Sequence, residues 1–192
     1  MLPSTERPLR VVGVSGSLTA PSKTTALVRA ILDQVAATRE VDTTLVELNR
    51  VGPHLGGAIR RSELPDVAEQ ELSRIESADL LVVASPVYRA TFTGLFKHLF
   101  DFVDQYALVD TPVLLAATGG SDRHALIIEH QLRPLFGFFQ AVTLPVGVYA
   151  SDSDFTDYRV SSDRLRERIE LAVARAEPFL GRELAAPRPA WW

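Results

Sequence analysis

The sequence predicts an α/β protein: a doubly wound, five-stranded parallel sheet with helices on both faces. Three observations carry this. Apolar runs alternate with helix-period segments five times along the chain. The runs are continuously apolar rather than alternating, which is the pattern of strands covered on both sides. No repeat or low-complexity stretch interrupts the order. A sheet of this kind holds ligands at the carboxyl ends of its strands, near the point where strand order reverses.

The elements follow in order. Val11–Val14 reads as a buried strand, and 24–37 as a helix with Leu27, Val28, Ile31, Leu32 and Val35 on one face. A second strand is expected at 43–48. Residues 49–66, rich in Gly and Pro, read as a long loop able to carry function or an interface. A polar helix follows at 67–77, then a strand at 80–84 that Ser85-Pro86 ends. Residues 92–103 have helical spacing of Phe92, Leu95, Phe96, Leu99 and Val103. Val113–Ala117 is another strand, 124–139 is helical in pattern, and 142–149 contains the last strand. The final helix, about 162–180, aligns Leu165, Ile169, Ala172, Val173, Ala176 and Leu180.

Composition narrows the function. The 192 residues suit one domain, residues 1–181, with an irregular tail over 182–192 whose Trp191-Trp192 either docks on a neighbouring subunit or hangs free. Apolar residues make up 46%, enough for a full core. A net charge of −4 without a basic run argues against nucleic acid or an anionic membrane surface as partner. The absence of cysteine removes thiolate nucleophiles and zinc–thiolate sites. No apolar run reaches spanning length and residues 1–10 lack a signal-peptide stretch, so the expected location is cytoplasmic. No histidine–carboxylate spacing marks a metal site.

Three strand ends carry the chemistry. After the first strand come small hydroxyl residues, Ser15 to Thr25, then a helix. Backbone N–H groups, hydroxyls and a helix N-terminus converge there, which suits a phosphate. Ser22 stands where a Walker loop needs glycine, and only Gly13 and Gly16 are near the turn, so neither a triphosphate loop nor a dinucleotide fingerprint fits. The simpler reading is a helix cap by Ser22 or Thr24. The second loop, 85–91, joins a rigid proline to Val87 and Tyr88. The third, 118–124, has adjacent glycines that admit a planar ligand. Ser-Pro as a mere stop and Gly-Gly as a mere turn are the alternatives singly. Together at one sheet edge, the three loops describe a mononucleotide with a large planar ring, such as FMN.

On Gly16-Ser17 with Ser22, Thr24 and Thr25, on Ala84-Ser85-Pro86-Val87-Tyr88 with Thr93-Gly94-Leu95-Phe96-Lys97 and Asp101, and on Leu115–Ser121 with His124, the chain resembles the flavodoxin-like NAD(P)H-dependent FMN reductases. Residues 129–134 make it most similar to the branch linked to methanesulfonate and alkanesulfonate monooxygenases. The resemblance implies that Ser17, Ser22, Thr24 and Thr25 hold the FMN phosphate, with Ser15, Leu18 and Lys23 also among the cofactor-binding residues. It implies that Pro86, Val87, Tyr88 and Arg89 line the ribityl chain and one side of the ring, and that Thr118, Gly119, Gly120 and Ser121 border the pyrimidine side, while His124 either caps the following helix or contacts the flavin. Many relatives carry an arginine in the first loop, where this chain offers only Lys23.

The implied reaction passes a hydride from NADH or NADPH to FMN, with no side-chain nucleophile and no catalytic side chain required. Backbone N–H groups of Gly119 and Gly120 are the candidate donors to the charge that builds on the reduced ring. Arg89 and Arg123 are either solvated loop cations or nucleotide contacts. His98 reads as a surface residue, and His54 as facing the cleft or an interface. The 124–139 helix is apolar around most of its girth, which suggests another subunit. His130 and Pro134 fit a regular helix poorly, and the resemblance implies a π-bulge at a tetramer interface there. The expected partners are pyridine nucleotide, flavin, a second copy of the chain in a dimer or tetramer, and a separate flavin-dependent monooxygenase. The alternatives are an FMN-bound quinone or azo reductase, and a flavodoxin-like electron carrier. The sequence does not choose between NADH and NADPH.

Overall fold

The computed structural model describes residues 7–181. The tail from 182 onward, with its two tryptophans, lies outside the described residues. Strand β1 (Leu9–Ser15) leads to helix α1 (Lys23–Thr38), strand β2 (Val41–Glu47), helix α2 (Leu48–Leu55) and a 3₁₀ turn at Arg61–Glu63. Helix α3 (Asp66–Glu76), strand β3 (Leu80–Pro86), helix α4 (Gly94–Asp101) and strand β4 (Pro112–Gly119) follow. The sheet runs β2-β1-β3-β4, and its last position is filled in two pieces, β5 (Val142–Thr143) and β6 (Val148–Ser151), both pairing with β4. Every pairing is parallel. This is the doubly wound order, with its reversal between β1 and β3.

Alternate residues of the apolar strands feed two cores. Leu81, Val83, Val113 and Leu115 pack under α2, α3 and α4, whereas Leu80, Val82, Leu114 and Ala116 pack under α1 and the final helix α6 (Asp163–Ala176). Gly13 sets how close α1 lies: a Cβ there would stand 2.5 Å from Val28 Cγ1 and 2.9 Å from Leu32 Cδ1. In register, Ser15 pairs with Ala84, Pro86 with Thr118 and Gly119 with Ser151, so the ends of β1, β3, β4 and β6 share one edge.

Four expectations change. Residues 48–55 form a helix, not a loop, although Gly52 and Pro53 sit in it. Burial of Leu48, Val51 and Leu55 outweighs the poor helix propensity of those two residues. The helix expected from Phe92 starts at Gly94, because Thr93 is its cap. The last strand breaks at Leu144–Gly147, where Pro145 has no N–H to donate, and Leu144 N still reaches Val113 O at 2.9 Å. The 124–139 segment is three pieces: a 3₁₀ turn at Asp122–His124, a π-helix at Ile128–Leu132 and helix α5 (Arg133–Phe138). Pro134 lies in the first turn of α5, where a missing N–H is tolerated. A hairpin of β7 (Phe155–Thr156) and β8 (Arg159–Val160) precedes α6.

Candidate functional site

The first loop springs from β1 and is seated by backbone: Gly16 N donates to Ala84 O at 2.7 Å. Ser22 caps α1, its side chain accepting from Thr25 N at 3.2 Å. The N–H groups of Lys23 and Thr24 open the helix and have no acceptor within it, so they remain available to an anion, with the helix dipole behind them. Ser17 is buried, and its hydroxyl donates to Thr19 O at 3.1 Å. Leu18 is exposed at the rim.

Two of the hydroxyls expected to hold the phosphate, those of Thr24 and Thr25, face inward, as does Ser15. Ser15 Oγ lies 2.8 Å from Thr25 Oγ1, and Thr24 Oγ1 lies 2.7 Å from Thr118 Oγ1. All four residues are buried. The Ser15–Thr25 pair binds strand to helix under the loop, and the Thr24–Thr118 pair binds the first loop to the third. Lys23 Nζ donates to Asp152 Oδ1 at 2.8 Å, so its charge is shared with a carboxylate from the turn after β6. The donors left for a phosphate are therefore neutral: helix N–H groups and the hydroxyl of Ser22, with Ser17 able to join them by giving up its bond to Thr19 O.

The second loop is a tight turn. Tyr88 N donates to Thr91 O at 2.8 Å and Thr91 N to Tyr88 O at 3.2 Å, with Arg89 at φ 50° and Ala90 at φ 70° between them. These left-handed residues hold Tyr88 out at the rim, 49% exposed, with Arg89 beside it in solvent. Thr91 Oγ1 donates to Gln131 Oε1 at 3.1 Å, which links the turn to the π-helix. Thr93 ties the second loop to the first, since its hydroxyl donates to Gly16 O at 3.3 Å and its N–H to Ser85 Oγ at 3.3 Å.

The third loop continues β4. Val87 N donates to Thr118 O at 2.8 Å, so the second and third loops share backbone. Gly120 is exposed, and a Cβ there would meet nothing within 4 Å. His124 is exposed at the end of the 3₁₀ turn. Behind the loop, Asp154 is 3% exposed and accepts from Ser151 N and Oγ at 2.8 and 3.0 Å. Burial alone raises its pKa, but these hydrogen bonds and Arg164 outweigh it and hold the carboxyl below its ordinary value.

The structure thus brings all three loops to one edge. It takes His98 out of the surface class: its ring Nε2 lies 3.2 Å from Leu55 O and its edge meets Phe102. His54 is exposed on α2. Sequence reasoning gave no positional role to Thr93, Tyr149 or Asp152. Thr93, a threonine just before a periodic apolar run, carried a readable capping signal. Tyr149 and Asp152 act across more than 25 residues and carried none. A cavity of about 630 Å³ lies beyond the loops, between β6, α6 and the π-helix, lined by Glu129, Tyr149, Arg164 and Arg168 among others.

Loops gathered at the β1/β3 reversal, with helix N–H groups and hydroxyls at the start of α1, form a candidate mononucleotide site on a flavodoxin-like fold. The donor set fits FMN, because neutral N–H and hydroxyl groups at a helix N-terminus suit a dianionic phosphate monoester. Residues 9–156 match the family of NADPH-dependent FMN reductases, and the chain belongs to that family. It is 58% identical over 174 residues to the NADH-dependent FMN reductase SfnE of Pseudomonas putida, covering 91% of this chain and 94% of that one. It is 52% identical over 174 residues to an FMN reductase (NADPH) of Pseudomonas aeruginosa, with 91% and 94% covered. The crystal structure of an oxidoreductase from Corynebacterium diphtheriae superposes with a TM-score of 0.80 at 31% identity, covering 93% of this chain and all of that one.

Proposed function

We propose that the protein transfers a hydride from NADH or NADPH to FMN and supplies the reduced flavin to a separate flavin-dependent monooxygenase, one acting on sulfonates. The observation that carries the reductase reading is the convergence of three backbone-linked loops on the carboxyl edge of β1, β3 and β4. The sulfonate link rests on the resemblance of residues 129–134. When bound, FMN supplies the redox chemistry by accepting the hydride.

The protein's part is to bind and orient. Lys23 and Thr24 N–H groups with the Ser17 and Ser22 hydroxyls hold the phosphate. The Pro86–Arg89 turn lines the ribityl chain and one ring face. The Gly120 N–H, just past the end of β4, would be placed to donate to the pyrimidine side of the ring, where reduction adds negative charge. Tyr88 is exposed at the rim, where it would meet an incoming nicotinamide.

We also read the protein as cytoplasmic and as a homo-oligomer that uses the His130 segment. Among the described residues no helix is long and apolar enough to cross a membrane. Leu126 and Phe138, on either side of the π-helix, are 63% and 62% exposed, and His130 is exposed between them. The deciding experiment adds FMN and either nicotinamide to the purified protein and follows the nicotinamide absorbance. Turnover with free FMN as acceptor is the expected result. Oxidation that requires a quinone instead, or none at all, overturns the reading.

A further inference from the structure

We propose that Tyr149 is a positioning residue for the flavin ring: from the edge strand β6 it fixes the third loop, Thr118–Ser121, in the shape that meets the isoalloxazine. The inference rests on the flavin reading of the site. Two contacts carry it. The Tyr149 hydroxyl donates to Ser121 O at 2.6 Å, short for a neutral O–H···O bond. The same hydroxyl fills the space beneath Gly119. A Cβ at position 119 would run into the Tyr149 hydroxyl oxygen, with Cζ 3.3 Å and Val87 Cγ2 3.4 Å away.

A side chain at position 119 would therefore have to displace the Tyr149 hydroxyl and its bond to Ser121, and no left-handed backbone conformation is involved. The start of the loop is fixed separately, by Thr24 on the Thr118 hydroxyl and by Val87 N on the Thr118 carbonyl. Tyr149 fixes the far side. Gly120 between them is the open stretch presented to the cleft. Burial raises the phenol's pKa, and Asp122, Asp152 and Asp154 raise it further, so the group stays protonated and remains a donor through neutral pH. The geometry makes Tyr149 act through Ser121 and Gly119, with no contact to the reacting atoms needed.

The test compares wild type, Tyr149→Phe, Gly119→Ala and the double variant, each checked by circular dichroism. FMN and riboflavin are titrated against each, and the visible spectrum of bound flavin is recorded. Tyr149→Phe loses one hydrogen bond, so it weakens both flavins equally, by about fivefold, and alters the bound-flavin spectrum. Gly119→Ala weakens both by about tenfold or more, and adding Tyr149→Phe recovers most of that loss, because the colliding oxygen is gone. Wild-type affinity and spectrum in Tyr149→Phe overturn the proposal, as does a double variant no better than Gly119→Ala. Should Gly119→Ala fail to fold, the Tyr149→Phe spectrum and the equal loss of FMN and riboflavin decide it. A wild-type protein that binds no flavin defeats the flavin reading itself. A flavin-binding wild type with an indifferent Tyr149→Phe defeats only the role of Tyr149.

Discussion

At the scale of single residues, hydroxyl side chains of the first loop divide their labour. Ser22 caps α1, and under the proposed function it would also meet the phosphate. Ser15, Thr24 and Thr25 spend their hydroxyls on buried pairs. Ser22→Ala thus separates the two ligands FMN and riboflavin. It weakens FMN about tenfold and leaves riboflavin, which lacks the phosphate, within about twofold, as read by fluorescence titration. Loss of the cap lowers stability by about 1 kcal/mol, a fall of about 2–4 °C in melting temperature. Equal weakening of both flavins would show that the phosphate does not sit over Ser22. The sequence showed small hydroxyl residues between an apolar run and a helix, which the structure uses to cap α1 and to pair inward. Which hydroxyls point inward was not legible, because Thr24 meets Thr118 at a separation of 94 residues.

At the scale of elements, the sequence was most legible where period and burial agree. The apolar runs at 11–14, 80–84 and 113–117 became β1, β3 and β4, and the register of those strands placed the loops. It was least legible where one residue type pulls against the packing. Gly52 and Pro53 hid α2, and Pro145 split the edge strand. That edge is guarded by side chains that no local pattern announces: Arg133 donates to Leu144 O at 3.1 Å and Arg168 to Gly147 O at 2.9 Å. The segment after α2 is held by Arg61, which reaches Glu69, Glu76 and the carbonyl of Phe102, joining α3 to the end of α4. Glu69 and Glu76 raise the Arg61 pKa well above its ordinary value, against the opposing effect of burial. Arg61→Ala leaves Glu76, mostly buried, without that partner. The expected loss is about 1–2 kcal/mol, read as a lower urea midpoint at unchanged slope, with FMN affinity at the far edge unaffected.

At the scale of the whole molecule, two properties follow from how charges and apolar surface are distributed. The first is acid sensitivity. Hydrogen bonds from Arg61 and Arg133 hold Glu69 and Glu129 below the ordinary carboxylate range. Burial works against Asp79, but Arg7 and the Arg10 N–H outweigh it and lower its pKa too. A carboxylate with a depressed folded pKa contributes stability above its unfolded value, about 4, and loses it as pH falls through the folded value. Urea midpoints should thus be flat near neutrality and fall progressively below about pH 4, and Asp79→Asn should flatten part of that fall. The second is assembly. Leu126 and Phe138 leave large apolar side chains in solvent around the π-helix, and Phe138 also borders a groove of about 650 Å³ with Phe100, Leu135 and Phe139. The proposed homo-oligomer would bury this exposure. A π-helix widens one turn, and here that turn carries His130 outward and Gln131 to Thr91, so the same segment meets both the apolar surface and the Tyr88 turn. Sedimentation velocity should therefore find wild type as a dimer or tetramer, and Leu126→Glu with Phe138→Glu as a smaller folded species. His130→Ala should shift the assembly or the flavin affinity more than the rate of hydride transfer in single turnover. A monomeric wild type across the whole concentration range would leave the exposed leucine and phenylalanine without this explanation and remove the interface from the protein's description.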